Sequence, residues 1–250
     1  MARVALCSII AVALVTGAAF AAAPWLDFDT AAYFHRPDVA AAVQSLSLVL
    51  EAARTANNTL AVLTVVLALG TGAIKLIWPR GRMLLPARAT LLIVGTFAIG
   101  PALLTNGVFK AHWSRPRPGS VVGLGGAQPF MPWWDPRGAC ASNCSFVSGE
   151  ASSAYAMLAP AVVVPPPWRA AAIGAALVYG TAIGVVRMAL GGHFLSDVLF
   201  AGILTALVIW LLHGLLYRWR RTRLNDPAAE LAIENAGLAI RAKFAKPPTA

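Results

Sequence analysis

Three short polar clusters, each at the end of a long apolar run, hold the residue types that phosphoryl transfer needs. Ionisable groups beside membrane-depth segments are costly, which makes them functional candidates. Three cations, a histidine and two carboxylates could bind a phosphoryl group and supply a histidine nucleophile. The clusters are, in chain order, Lys110 with Arg117-Pro118, then Ser148-Gly149-Glu150, then Arg187 with His193 and Asp197.

The third cluster has the spacing of an oriented nucleophile. His193 and Asp197 are four positions apart, so on a helix they would share one face. Asp197 could then accept a hydrogen bond from one ring nitrogen and leave the other free as a nucleophile or base. Gly191-Gly192 would let the backbone approach a ligand closely, and Arg187 offers a donor fork that fits phosphate. Taken alone, the same residues could be a structural polar pair or a helix cap.

The other two clusters also have structural alternatives. Lys110, Arg115 and Arg117, with a histidine and two prolines, form a stiff positive patch, which could bind a phosphate or simply contact lipid headgroups. Ser148-Gly149 would place a hydroxyl and backbone donors at a helix start, where anions bind, although Ser148 could equally cap that helix. Glu150 could give a proton to a leaving oxygen, or could merely favour the helix dipole.

The composition is that of a polytopic membrane protein. Of 250 residues, 58% are hydrophobic and only 12% are charged, whereas soluble domains carry about 25% charged residues. The net charge of +10 could suggest a nucleic-acid partner. Because the basic residues lie in short segments between apolar runs, and not as a stripe on a soluble domain, no nucleic acid is expected. No cofactor is expected, and no metal, since no Cys or His pair has zinc-site spacing.

About six apolar runs approach the length of about 20 residues that crosses a bilayer, which predicts an all-α membrane bundle. They are residues 4–22, 59–78, 88–109, 151–167, 170–190 and 195–217. The fourth run is short and ends at three prolines, 165–167, which stop a helix. The first run could also be a signal peptide, because small residues near 20–24 resemble a cleavage site; we favour an uncleaved helix.

Basic residues predict the orientation of the bundle. They bracket the connection between the second and third runs and follow the sixth run, so these sides should be cytoplasmic. The loops 23–58, 110–150 and 188–194 would then lie outside, which puts all three clusters at the periplasmic face of a bacterial inner membrane. The chain accordingly divides into a first helix or signal peptide with an outer loop (1–58), a membrane core (59–217) and a basic cytoplasmic tail (218–250).

Two local features belong to these connections. Cys140 and Cys144 lie close together in the Gly/Pro-rich outer loop. They could form a disulfide, stay as free thiols or be half of a metal site, and an oxidising compartment favours the disulfide. In the tail, Asn225-Asp226-Pro227 predicts the start of a short amphipathic helix.

Taken in order, the motifs K-x6-R-P, S-G and R-x5-H-x3-D resemble the type 2 phosphatidic acid phosphatase family. That family shares its helical fold with glucose-6-phosphatase and vanadium haloperoxidases. The resemblance covers about residues 60–217, and the joint pattern is far more specific than any single short motif. The middle motif departs from the family pattern, which usually reads P-S-G-H, because Glu150 stands where the family has a histidine that protonates the leaving group. The first motif falls on Lys110, Arg117 and Pro118, and the third on Arg187, His193 and Asp197.

The resemblance implies a lipid phosphatase that works through a phosphohistidine. His193 would attack phosphorus and Asp197 would orient it, while positioning and charge stabilisation supply most of the acceleration. Glu150 would be the general acid, provided that burial, which favours its protonated form, outweighs the nearby cations; His112 is an alternative acid. No metal would be needed. The implied phosphate-binding residues are Lys110, Arg117, Arg187, Ser148 and Gly149.

The implied substrate is a lipid phosphate presented at headgroup level, with membrane lipids as the surroundings. Lipid A 1-phosphate is one candidate; undecaprenyl pyrophosphate and phosphatidylglycerol phosphate are others. Some family members transfer phosphate to another lipid, so a phosphotransferase stays open, as does a non-catalytic lipid-binding member because the middle motif is altered. A transporter is disfavoured, because the charges lie at helix ends and not at the midplane. The oligomeric state is left open.

Overall fold

The computed structural model describes residues 2–244, and their regular structure is helical apart from one isolated bridge between Val121 and Gln128. The predicted all-α class is therefore confirmed. The helix Ala87–Phe97 runs on through a π-helical segment, Ala98–Phe109, into the short helix Lys110–His112, and the helix Leu195–His213 runs on through a π-helical turn, Gly214–Arg218. The helices are α1 (Ala2–Ala22), α2 (Trp25–His35), α3 (Pro37–Ser45), α4 (Ser47–Ile77), α5 (Ala87–Phe97), α6 (Lys110–His112), α7 (Gly149–Tyr155), α8 (Leu158–Val163), α9 (Arg169–Ala189), α10 (Leu195–His213) and α11 (Asp226–Phe244).

Five helical stretches are long and apolar enough to cross a membrane, and they agree with five of the six predicted runs. They are Ala2–Ala22, Ser47–Ile77, Ala87–His112, Arg169–Ala189 and Leu195–Arg218. Large apolar side chains on their outer faces are exposed, as lipid-facing surfaces require; Leu48, Leu67 and Val178 are examples.

The fourth predicted run, 151–167, is the exception, because it forms two short helices, α7 and α8, with a turn between them. Pro160 explains the break, since it cannot donate to the carbonyl of Ala156 and its ring crowds that carbonyl. Ala151, Ala156 and Ala159 are fully buried. The segment thus packs inside the bundle, against α4, α5, α9 and α10.

The predicted outer loop 23–58 is also different, because it is helical almost throughout. It contains α2, α3 and the first turns of α4. Pro37 begins α3 at a position where its missing N–H costs nothing. This correction matters for function, because α2 packs against α9 and α10 and brings polar residues towards them.

The tail forms α11 from Asp226, as its start signal predicts, and α11 packs against α4. Two ion pairs fasten it: Glu234 Oε2 lies 2.8 Å from Lys75 Nζ, and Asp226 Oδ2 lies 2.6 Å from Arg88 Nη2. These contacts are at the end of α4 and the start of α5, opposite the polar clusters. Residues 245–250 of the predicted tail lie outside the described residues.

Candidate active site

The three polar clusters meet at one end of the bundle. Arg187, in the last turn of α9, has its Nε 2.7 Å from Oε2 of Glu150, in the first turn of α7. A Cβ on Gly149 would lie only 3.0 Å from Nζ of Lys110, at the end of α5–α6. His193 contacts the segment that leads into α7, since its Nδ1 is 2.8 Å from the carbonyl oxygen of Ser145. Residues from three separate stretches of chain therefore form one site.

His193 is arranged as a neutral imidazole with one free nitrogen. The Ser145 carbonyl can only accept a hydrogen bond, so Nδ1 carries the proton and Nε2 keeps its lone pair. Burial lowers the pKa of His193; Asp197 opposes this shift, and the cations Arg117 and Lys110 add to it. An unprotonated Nε2 is what a histidine nucleophile requires.

Asp197 does not make the predicted hydrogen bond with His193. Its Oδ2 lies 3.7 Å from Nδ1, because α10 begins after His193 and the two residues do not share a helical face. The carboxylate accepts hydrogen bonds from the Phe194 amide at 2.8 Å, the Ser145 hydroxyl at 2.5 Å and Arg115 Nη1 at 2.5 Å. Asp197 therefore acts on His193 by its charge, and it shares Ser145 with the ring.

Glu150 is held between two arginines. Its Oε1 accepts a hydrogen bond from Arg54 Nε at 2.7 Å, and its Oε2 forms the 2.7 Å ion pair with Arg187. Arg54 comes from α4 and also pairs with Glu51 at 3.1 Å. This arrangement suits an ionised carboxylate that positions guanidinium groups, and it weighs against the predicted proton donor. Sequence reasoning missed Arg54, although a Glu-Arg pair three residues apart at the start of an apolar helix is a detectable signal.

Arg117 is oriented by the loop that the cysteines close. Its Nε donates to the Asn143 carbonyl at 3.0 Å, and its Nη2 donates to Oδ1 of the same residue at 2.8 Å. Cys140 and Cys144 are joined by a disulfide, with the sulfur atoms 2.16 Å apart. A cavity of about 410 Å³ opens beside this loop; its lining is Asn106, Lys110, Ala111, Ala141, Ser142 and Asn143.

Two of the predicted phosphate ligands have structural duties. Ser148 is fully buried, and its hydroxyl caps α7 by accepting from the Ala151 amide at 3.4 Å. Gly149 leaves room for Lys110, as described above. Gly192 has a similar duty, because a Cβ there would lie 2.4 Å from Arg187 Nη2. The predicted alternative acid, His112, is exposed at the end of α6.

The predicted site omits two residues that lie directly behind it. Arg115, which the sequence offered only as part of a basic patch, is fully buried and bonded to Asp197. Asp27, from α2, is bonded to the other side of Arg115 at 2.8 Å. The sequence did offer a signal for Asp27. The chain has only 10 acidic residues, so a carboxylate in a predicted loop next to an apolar run is unusual.

The family model of the PAP2 superfamily matches residues 89–222, which is more than half of the chain. The chain belongs to the PAP2 superfamily. Every motif residue of the site lies within that match, whereas Asp27 and Arg54 precede it. No solved structure matches this PAP2 chain.

Three curated relatives of this PAP2 chain carry the name lipid A 4'-phosphatase. The Francisella tularensis subsp. novicida protein is 39% identical over 132 residues, covering 52% of this chain and 60% of the relative. The Rhizobium leguminosarum protein is 42% identical over 117 residues, covering 47% and 50%. The Rhizobium etli protein is 40% identical over 124 residues, covering 50% and 48%. The chain thus spans about half to 60% of the length of these relatives.

Proposed function

We propose that this protein is an integral-membrane phosphatase that removes a phosphate group from lipid A. The observation that carries the proposal is the neutral His193, whose free Nε2 belongs to the same site as Lys110, Arg117 and Arg187. Membership of the PAP2 superfamily and the names of the three relatives support it.

In the proposed reaction, Nε2 of His193 attacks phosphorus and the bond from phosphorus to the leaving oxygen breaks. The ring becomes positively charged, and the Ser145 carbonyl at 2.8 Å and the Asp197 carboxylate at 3.7 Å stabilise that charge. Lys110, Arg117 and Arg187 neutralise the phosphoryl oxygens. Water then attacks the phosphohistidine, which releases inorganic phosphate and restores the imidazole. The work is positioning and charge stabilisation, as in other phosphoryl transfers.

The role of Glu150 follows from its two partners. We infer that it positions Arg187 and Arg54 for the substrate, so that the leaving oxygen takes its proton from water at the open face of the site. The general-acid role implied by the family resemblance is the competing hypothesis. The two differ in their pH dependence, because a general acid must be protonated to act.

The 4'-phosphate is the better candidate position on lipid A. The relatives' names favour it over the 1-phosphate predicted from the sequence. The cavity beside the site adds support for a sugar phosphate, because the amides of Asn106 and Asn143 and the hydroxyl of Ser142 can pair with sugar hydroxyls. Undecaprenyl pyrophosphate offers no such hydroxyl groups.

We also propose that the site faces the periplasm. Arginines gather at the opposite end of the bundle, around the start of α5 and after α10, as on cytoplasmic faces. The Cys140–Cys144 disulfide lies at the site end, which agrees with an oxidising compartment.

A phosphate-release assay on purified protein in detergent tests the proposal. The panel contains lipid A, undecaprenyl pyrophosphate and phosphatidylglycerol phosphate, and His193→Ala is compared with His213→Ala, the same change at the far end of α10. We expect release by the parent and by His213→Ala, and none by His193→Ala, which should insert into membranes at the parental level before purification. Phosphate release by His193→Ala would show that His193 is not the nucleophile. Transfer of phosphate to another lipid would indicate a phosphotransferase. A folded parent protein that turns over no substrate would indicate a binding protein.

A further inference from the structure

A chain of three buried charges lies behind the proposed nucleophile. Arg115 is 0% exposed and bridges two carboxylates that are 1% and 0% exposed, Asp27 and Asp197. Its Nη2 donates to Asp27 Oδ2 at 2.8 Å, and its Nη1 donates to Asp197 Oδ1 at 2.5 Å. The guanidinium also lies over the ring of Phe194, 4.3 Å from the ring centroid. Phe194 directly follows His193 in the chain.

The network is closely satisfied on the Asp27 side. Ser196 donates to Asp27 twice, from its amide at 2.8 Å and from its hydroxyl at 2.6 Å. Arg115 Nε donates to the Met131 carbonyl at 2.9 Å. Asp27 therefore touches both the arginine that holds Asp197 and the residue just before Asp197 in α10. Asp27 thus contacts two groups that adjoin Asp197.

The charges are expensive, which points away from a purely structural purpose. A buried ion pair often contributes no more stability than well-packed apolar residues of similar size. Burial raises the pKa of Asp27, and Arg115 and Ser196 oppose that rise. Three donors point at the carboxylate, namely Arg115 Nη2, the Ser196 amide and the Ser196 hydroxyl, and this contact set suits an ionised Asp27. The fold could close this region with apolar side chains, yet it places an ion triad there.

The sum of these charges fits the proposed chemistry. Two carboxylates and one guanidinium leave a net charge of about −1 behind His193, whose ring is neutral before attack and positive afterwards. Removal of Asp27 would leave a neutral pair there instead. The positive ring of the phosphohistidine would then form without a net counter-charge.

We propose that Asp27, which precedes the part of the chain matched by the family, is a positioning residue for the nucleophile. Through Arg115 and Ser196 it fixes Asp197 and supplies the negative charge that balances His193 during attack. The segment before the family domain is thus a part of the active site. This inference rests on the proposed function of His193.

Steady-state kinetics of phosphate release from lipid A distinguish this role from a structural one. Asp27→Asn keeps the shape but removes the charge, and we expect kcat to fall at least about tenfold with KM within about twofold, because the phosphate-binding cations are untouched. Asp135→Asn is the matched control; it removes a carboxylate whose ion-pair partner is the exposed Arg137, and kcat should stay at the parental value. Thermal unfolding in detergent reports whether each variant is folded.

The outcomes of this experiment separate a failure of the proposed function from a failure of the proposed role of Asp27. A folded parent that releases no phosphate defeats the proposed function, whereas an active parent with a parent-like Asp27→Asn defeats only this inference. A rise in KM with unchanged kcat would also overturn it. If Asp27→Asn does not fold, Arg115→Lys takes its place. Lysine keeps the charge but has one nitrogen, whereas Arg115 reaches the two carboxylates through separate nitrogens, so the same fall in kcat is expected. If neither variant folds, the triad is structural and the proposal is wrong.

Discussion

Replacement of Glu150 by glutamine separates the two roles proposed for this residue. In the structure the carboxylate joins Arg54 and Arg187, each at 2.7 Å. Glutamine has nearly the same shape but only one oxygen, so its amide nitrogen must face one of the two guanidinium groups donor to donor. The nearby cations Lys110 and Arg117 would then lack a compensating anion.

The cost can be worked out from the burial of the two pairs. Loss of one partner from a fully buried ion pair costs about 3–5 kcal/mol. Here the side chain of Glu150 is 17% exposed, Arg54 is 39% exposed, and Arg187 Nε is close to Oε2 without the alignment of a hydrogen bond. Exposed pairs contribute about 0–1 kcal/mol. We therefore expect Glu150→Gln to lower the free energy of unfolding by about 2 kcal/mol, nearly all of it from Arg187.

Thermal unfolding in detergent, with and without inorganic phosphate, measures this effect. Phosphate should recover part of the lost stability, and should stabilise Glu150→Gln more than the parent, because the anion occupies the place of the missing carboxylate. Glu51→Gln is the matched control; it affects the same Arg54 at an exposed position and should change stability by no more than about 0.5 kcal/mol.

The pH profile of kcat distinguishes positioning from acid catalysis. A positioning Glu150 predicts that Glu150→Gln lowers kcat by a similar factor at every pH. A general acid predicts that the parent loses activity as pH rises, with the variant flat over the same range. That second pattern, or a variant as stable as the parent with no added response to phosphate, would refute the positioning role.

Three further predictions follow from the site. Gly192→Ala should lower kcat/KM by about a hundredfold with little change in stability, because its Cβ would meet the flexible end of Arg187 at 2.4 Å. Gly174→Ala is the control, because a Cβ at Gly174 has nothing within 4 Å. Equal activities of the two variants would contradict this prediction. The acid limb of kcat/KM should lie below about pH 6.5, because burial lowers the pKa of His193 against the opposing effect of Asp197, and the neutral ring attacks; a limb above that value would be inconsistent with it. Asn143→Ala should raise KM about tenfold, because it releases Arg117. Reduction of the Cys140–Cys144 disulfide in the parent should raise KM by a similar factor. An unchanged KM in both experiments would show that this loop does not orient Arg117 for the substrate.

The spans and the three clusters were predictable because they depend on local pattern. A bilayer needs about 20 apolar residues whatever their neighbours, and the motif spacing shows which helix ends must meet. The break at Pro160 was less visible, because the apolar run continues through it and only the burial of its alanines reveals an internal helix pair.

The contacts behind the motifs were not predictable in the same way. Asp27 lies 88 positions before Arg115, and Arg54 lies 96 positions before Glu150. Sequence spacing does not predict contacts between residues so far apart in the chain. Asp27 and Arg54 also come from a segment that the sequence predicts to be an outer loop. His193 and Asp197 show the opposite error, since a spacing of four suggested a shared helical face although α10 begins only after His193.

Product analysis on lipid A that carries both its 1- and 4'-phosphates tests the central claim most directly. Purified protein is incubated with this lipid in detergent, and mass spectrometry with fragmentation of each sugar locates the remaining phosphate. The proposed function predicts loss of the 4'-phosphate by the parent and an intact bisphosphorylated lipid with His193→Ala. Unchanged lipid with folded parent protein, or the same product from His193→Ala, would contradict it.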